Sequence, residues 1–121
     1  MNKFLSGRHI LVVEDEMMVL MLIEDMLGDL GCKSVTAAAT VEQALALIGA
    51  HVFDAALLDM NLNGNKSQDV AEALATRDVP FAFSTGYSTL DISDGYRERP
   101  VLKKPFSSRE LVGVFTRLLS P

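Results

Sequence analysis

Along this chain, short and largely apolar runs with strand character alternate five times with longer segments of helical period, and few folds accommodate such an alternation. A strand that is apolar at successive positions has both faces buried, which points to a parallel sheet covered by helices on either side. The strand candidates are Ile10 to Val13, Lys33 to Ala37, Ala55 to Leu58, Phe81 to Phe83 and Val101 to Lys103. With right-handed crossovers between them, a doubly wound α/β fold is the simplest closure.

The segments between the strands carry helix signals. Met17 to Leu30 places Val19, Leu22, Ile23, Met26 and Leu30 on one stripe, away from Glu24, Asp25 and Asp29, and Gly31 is positioned to cap it. The methionines of this helix, Met17, Met18, Met21 and Met26, are expected to fill an aliphatic core rather than form a partner groove. Thr40 reads as an N-cap with Gln43 in the capping-box position, and Leu45 and Ile48 are expected inward before the helix ends near Gly49. Ser67 or Asp69 opens a third helix with Val70, Ala73 and Leu74 inward, and Pro80 stops it. Ser107 or Ser108 opens the last, with Leu111, Val112, Phe115 and Leu118 recurring at helical spacing. The segment Gly86 to Arg99 departs from the pattern and predicts a short or irregular fourth helix anchored by Leu90, Ile92 and Tyr96.

The 121 residues, 49% of them hydrophobic, suffice for one ordinary core, and no stretch of Gly, Pro or Ser is long enough to be a linker, so residues 1–121 are expected to form one domain. The formal charge of −5, with Lys and Arg scattered, argues against direct nucleic-acid binding. The apolar run from His9 to Val13 is far shorter than the roughly 20 residues of a membrane helix, and Glu14, Asp15 and Glu16 follow it at once, so neither a membrane span nor a signal peptide is expected. The lone Cys32 has no disulfide partner or metal-ligand companions, which suits a packing role in a reducing cytoplasm. His9 and His51 stand apart from each other and from any ligand set.

In an open parallel sheet the ligand crevice lies beyond the carboxyl ends of the strands, where strand order reverses. After the first strand come Glu14 and Asp15; the third ends in Asp59, the fourth in Ser84 and Thr85, the fifth in Lys103 and Lys104. Singly, each has an ordinary explanation as a solvated helix start, a turn residue or an exposed lysine. Together, they converge on one crevice by topology. Glu14, Asp15 and Asp59 would repel one another there unless a hard cation or raised pKa values relieved the repulsion. Magnesium fits, since it prefers oxygen ligands and is usually held by one or two carboxylates plus a phosphate oxygen. The metal and one lysine would then balance three carboxylates, and phosphoryl transfer asks mainly for such positioning and charge stabilisation.

These residues lie within "ILVVEDE", "ALLDMNLNG", "FSTGY" and "LKKPF", and on that ordered quartet the chain resembles the receiver domains of response regulators, the CheY-like family, over essentially its whole length. The resemblance implies a flavodoxin-like five-stranded sheet of order 2-1-3-4-5 with helices on both faces. It implies that Asp59 accepts a phosphoryl group in a Mg2+-dependent reaction, that Asp15 binds the metal directly with Glu14 assisting, and that Asn61 contributes its backbone carbonyl. Thr85 would hydrogen-bond the phosphoryl group, and Lys104, the lysine that directly precedes proline, would pair with a phosphoryl oxygen across a Lys104–Pro105 bond that is often cis in the family. A sensor histidine kinase or histidine phosphotransfer protein would donate the group. The switched surface would span the fourth helix, fifth strand and fifth helix, a face that could also carry a homodimer. Because no output domain follows Pro121, a separate downstream protein is expected to read it. "FSTGY" is similar to the Phe-Ala-Thr-Gly motif of a single-domain receiver subgroup known from alphaproteobacteria, with Ser84 in place of Ala.

Several features depart from the family pattern. The loop "NLNGNKS" lacks the usual proline and is expected to be looser, and Val101 stands where an aromatic switch residue is usual. A haloacid-dehalogenase-like phosphatase shares the strand-end aspartate, hydroxyl, lysine and magnesium, but its Asp-x-Asp motif is broken by Asn61. A pseudo-receiver that binds partners without taking phosphate is the other alternative, against which the intact acidic set argues. "GNKS" fails as a phosphate-binding loop because Asn65 replaces its glycine. Tyr87 is either a surface ring or a substitute for the missing switch aromatic. The latter predicts that Tyr87→Ala leaves phosphorylation intact while uncoupling partner binding; unchanged binding disposes of it.

Overall fold

The computed structural model describes residues 7–32, 34–62, 65–85 and 99–119. In chain order these form β1 (His9–Val13), α1 (Met17–Asp29), β2 (Ser34–Ala38), α2 (Val41–Ala50), β3 (Ala55–Asp59), β4 (Asn61–Leu62), β5 (Asn65–Lys66), α3 (Gln68–Thr76), β6 (Phe81–Thr85), β7 (Val101–Lys103) and α4 (Ser108–Leu119). The main sheet has five parallel strands in the order β2-β1-β3-β6-β7, which is the expected 2-1-3-4-5 order when only the main strands are numbered. Most of the fourth-helix segment, residues 86–98 with Leu90, Ile92 and Tyr96, lies outside the described residues. Among the described residues, no helix is long and apolar enough to cross a membrane.

Alternation along the strands divides the core in two. Leu11, Val13, Ala56, Leu58, Phe81 and Phe83 point to the face covered by α2 and α3, where Ala44, Ile48, Val70, Ala71 and Leu74 meet them. Ile10, Val12, Ala55, Leu57, Ala82 and Leu102 point to the opposite face, against Leu20, Ile23 and Leu27 of α1 and Leu111, Val114 and Phe115 of α4. The central strands β3 and β6 are buried at all five positions, which is why both read as continuous apolar runs up to their polar last residues.

Helix ends follow the local chemistry. Gly31 adopts φ 85°, its N–H bonds to the Gly28 carbonyl and that of Cys32 to the Leu27 carbonyl, so α1 closes in the paired pattern that a left-handed glycine permits. Asp78 plays the same part after α3 at φ 57°, with its N–H on Ala75 and that of Val79 on Leu74. Thr40 Oγ1 accepts from the Gln43 N–H at 3.1 Å, while Gln43 Oε1 accepts from the Ala39 N–H at 2.8 Å. At α4 the cap is Ser107, reciprocated by Glu110: Ser107 Oγ accepts from the Glu110 N–H, and Glu110 Oε1 from the Ser107 N–H. Cys32 packs against the α1–α4 core, and burial pushes its thiol pKa up.

The helical stripes depart only in part from those expected: Ile23, Ile48, Val70, Leu74, Leu111 and Phe115 are buried as expected, and Val19, Leu30, Ala73 and Leu118 pack partly buried against the core. In α1 the buried row is Leu20, Ile23 and Leu27, whereas Leu22 is 53% exposed and Met17, Met18 and Met21 are 64%, 85% and 56% exposed, so these three methionines do not fill the core. Met26 is partly buried against it. The run from Met17 to Ile23 is apolar on all sides, so its period does not distinguish the face that meets the sheet. In α2, Val41, Ala44 and Ile48 turn inward and Leu45 outward; in α3, Ala71 takes the buried place expected of Ala73; in α4, Val114 takes that of Val112. Leu27→Ala is accordingly expected to cost about 2–5 kcal/mol and Leu22→Ala about 0.5 kcal/mol or less, measured by urea unfolding. Equal costs would contradict this packing.

Candidate functional site

Two strands run past their apolar stretch into polar residues. Asp59 is still within β3, paired with Ser84, and Thr85 is still within β6, paired with Lys103. Val13 pairs with Leu58, so the next step along both strands sets Glu14 beside Asp59. Alternation gives Glu14, Asp59, Ser84 and Lys104 to the α1–α4 face and Thr85 and Lys103 to the other. This parity separates Lys104 from Lys103: the former is partly buried and the latter exposed.

The consequence is a charge cluster at the carboxyl ends of the central strands. Glu14 and Asp59 are 1% and 3% exposed, and with Asp15 they bring carboxylate oxygens within 4.8 Å of one another. Lys104 Nζ lies 2.7 Å from Glu14 Oε1 and 3.4 Å from Asp59 Oδ2. Burial alone would push the Lys104 pKa down, but the contact with Glu14 and the charges of Asp59 and Glu14 outweigh it and hold the ammonium above the ordinary lysine value of 10.5. The other Glu14 oxygen accepts from the Glu16 N–H at 3.1 Å. Oε1, although in close ionic contact with Lys104, has no aligned hydrogen-bond partner among the described residues.

That donor set fits a hard divalent cation. Three carboxylates face one ammonium, two of them are buried, and one buried oxygen lacks an aligned donor. Asn61 opens β4 two residues after Asp59, where its backbone can contribute to the same end of the sheet. The loop expected to be loose is paired across itself, Asn61 with Lys66 and Leu62 with Asn65. Thr85, 1% exposed, accepts the Lys104 N–H on its carbonyl at 2.8 Å, and the Lys104–Pro105 bond is cis. Val101 packs against the α2–α3 core beside Phe83, its register partner, and Tyr87 lies outside the described residues.

One residue of the site's surroundings was not legible in the sequence. Ser67 reads as a helix opener, but its hydroxyl donates to the Met60 carbonyl at 3.1 Å, seven residues back. A serine before a helical period signals a cap, and nothing in the pattern distinguishes one turned toward a loop.

Comparison with known proteins places this arrangement. The sequence model of the response regulator receiver domain matches residues 10–116. The solution structure of SdrG from Sphingomonas melonis Fr1 is 45% identical, covers 93% of this chain and 97% of its own, and superposes with a TM-score of 0.83. The receiver domain of the sensor histidine kinase PA1611 from Pseudomonas aeruginosa PAO1, a crystal structure with magnesium coordinated in the active site cleft, is 29% identical over 94% of this chain and 98% of its own, with a TM-score of 0.77. The transcriptional regulatory protein PdtaR of Mycobacterium tuberculosis is 28% identical over 109 residues, 87% of this chain and 53% of that protein. The chain thus spans about half the length of the curated relatives it matches.

The Lys104 ion pairs make stability depend on pH. Because the folded pKa is raised above 10.5, their contribution is complete below that value and lost as pH climbs through the folded pKa. In metal-free buffer at pH 7, Lys104→Met is expected to lose about 1–3 kcal/mol by urea unfolding, and the gap to wild type should close at alkaline pH. A gap independent of pH would show that the ammonium charge contributes nothing.

Proposed function

The chain belongs to the response regulator receiver domain family, and we propose that Asp59 is the residue on which it takes the phosphoryl group. The observation that supports this most is Lys104 Nζ set between Glu14 and Asp59, with Asp15 adjoining, at the carboxyl ends of the central strands. A carboxylate whose neighbours are two acids and a lysine is equipped for the transfer of an anionic group rather than for acid–base catalysis.

In this reading an Asp59 carboxylate oxygen attacks the phosphorus of a phosphohistidine on the donor. The new O–P bond forms as the N–P bond breaks, and the donor's imidazole leaves. Asp15, Asp59 and the Asn61 backbone carbonyl would hold Mg2+, with Glu14 assisting, and the ion would supply positive charge to offset that of the phosphoryl oxygens. Lys104 moves from its carboxylate partners to a phosphoryl oxygen, and the Thr85 hydroxyl donates to another. The donor is a sensor histidine kinase or histidine phosphotransfer protein, and a separate protein or a second copy of the chain reads the face of β7 and α4. The domain acts as a signalling element, catalysing at most its own phosphorylation and dephosphorylation.

Incubation with a small phosphodonor, followed by intact-mass measurement, tests the proposal. One labile adduct is expected, dependent on Mg2+ and absent from Asp59→Asn. A folded, metal-binding protein that forms no adduct would favour the pseudo-receiver alternative.

A further inference from the structure

Met60 links Asp59 to Asn61, and both of its backbone polar groups have partners. Its N–H donates to the Ser84 carbonyl at 3.0 Å, and its carbonyl accepts from Ser67 Oγ at 3.1 Å. Ser67 occupies the N-cap of α3 with φ −61° and ψ −14° and makes no side-chain cap bond. Thr40 and Ser107, in contrast, cap α2 and α4 with their hydroxyls. The Ser67 hydroxyl is thus diverted from its helix to the loop, at the expense of a cap. Its own carbonyl meanwhile accepts the Ala71 N–H at 3.0 Å, so one residue joins the Met60 peptide to the first turn of α3. The Met60 carbonyl belongs to the planar unit that leads into Asn61, so holding that oxygen orients the next backbone segment. At 9% exposure, Ser67 is poorly placed for water to replace the bond.

We infer that Ser67 is a positioning residue for the metal-binding half of the site: through Met60 it sets the backbone between Asp59 and Asn61, the task that a proline in the loop would otherwise share. This inference rests on the receiver reading, which takes Asp59 and Asn61 as metal ligands. Ser67 itself touches neither metal nor phosphoryl group. Its side chain also gives α3 a direct mechanical connection to the residue following Asp59.

Calorimetric titration of the full chain with Mg2+ alone tests it, with thermal melting of the metal-free protein as control. Ser67→Ala is expected to bind Mg2+ about three- to tenfold more weakly while remaining folded, and Ser67→Thr, which keeps the hydroxyl, to bind close to wild type. A merely structural serine would lower the melting temperature and leave the affinity of the folded protein unchanged. A folded Ser67→Ala that binds as tightly as wild type, or a Ser67→Thr as weak as Ser67→Ala, overturns the inference and leaves the receiver reading standing. A wild type that binds no Mg2+ removes both.

Discussion

Glu14 and Asp59 lie at the ends of adjacent parallel strands, nearly inaccessible to water, and among the described residues the Lys104 ammonium is the positive charge in contact with both that makes this arrangement tolerable. Two carboxylates in such a position are costly by desolvation and by mutual repulsion. The cost is met only in part, since three carboxylates gather about one lysine and Glu14 Oε1 has no aligned donor among the described residues. A crevice left with excess negative charge and an under-satisfied oxygen is prepared for a cation. The desolvation and repulsion that cost stability here are the same terms that a bound cation would relieve.

The sheet makes the cluster possible. Helices cover both faces, so polar groups on the central strands can reach solvent only at the strand ends. Parallel register then decides which end residues become neighbours. Asp59 pairs with Ser84, Glu14 follows Val13 to the same level, and Lys104 follows Leu102 to the same face. Lys103, one residue earlier, is exposed, so a shift of a single position would dissolve the cluster.

The surroundings show how a loop without proline is organised by other means. Met60 is held at both backbone groups, by a strand carbonyl on one side and a helix-start hydroxyl on the other, and short antiparallel pairing follows it. On the outside of α1, beginning just after the acidic pair, Met17, Met18, Met21 and Leu22 remain exposed. Their side chains add nothing to the core and leave an apolar surface close to the site.

The strand and helix alternation, the parallel sheet and the gathering of Glu14, Asp15, Asp59 and Lys104 at strand ends were legible from residue order alone, because continuous apolar runs and topology are local or near-local properties. Caps with short-range partners, such as Thr40 with Gln43 and Gly31 after α1, were legible for the same reason. That Leu20 and Leu27 go deepest in α1 beside the expected Ile23 was not, since a run apolar on every side has no preferred stripe until a sheet selects one. Nor was the Ser67 bond to Met60, or the division of Lys104 between Glu14 and Asp59. These depend on distances between segments far apart along the chain or across a loop, and only packing of the folded chain sets those distances.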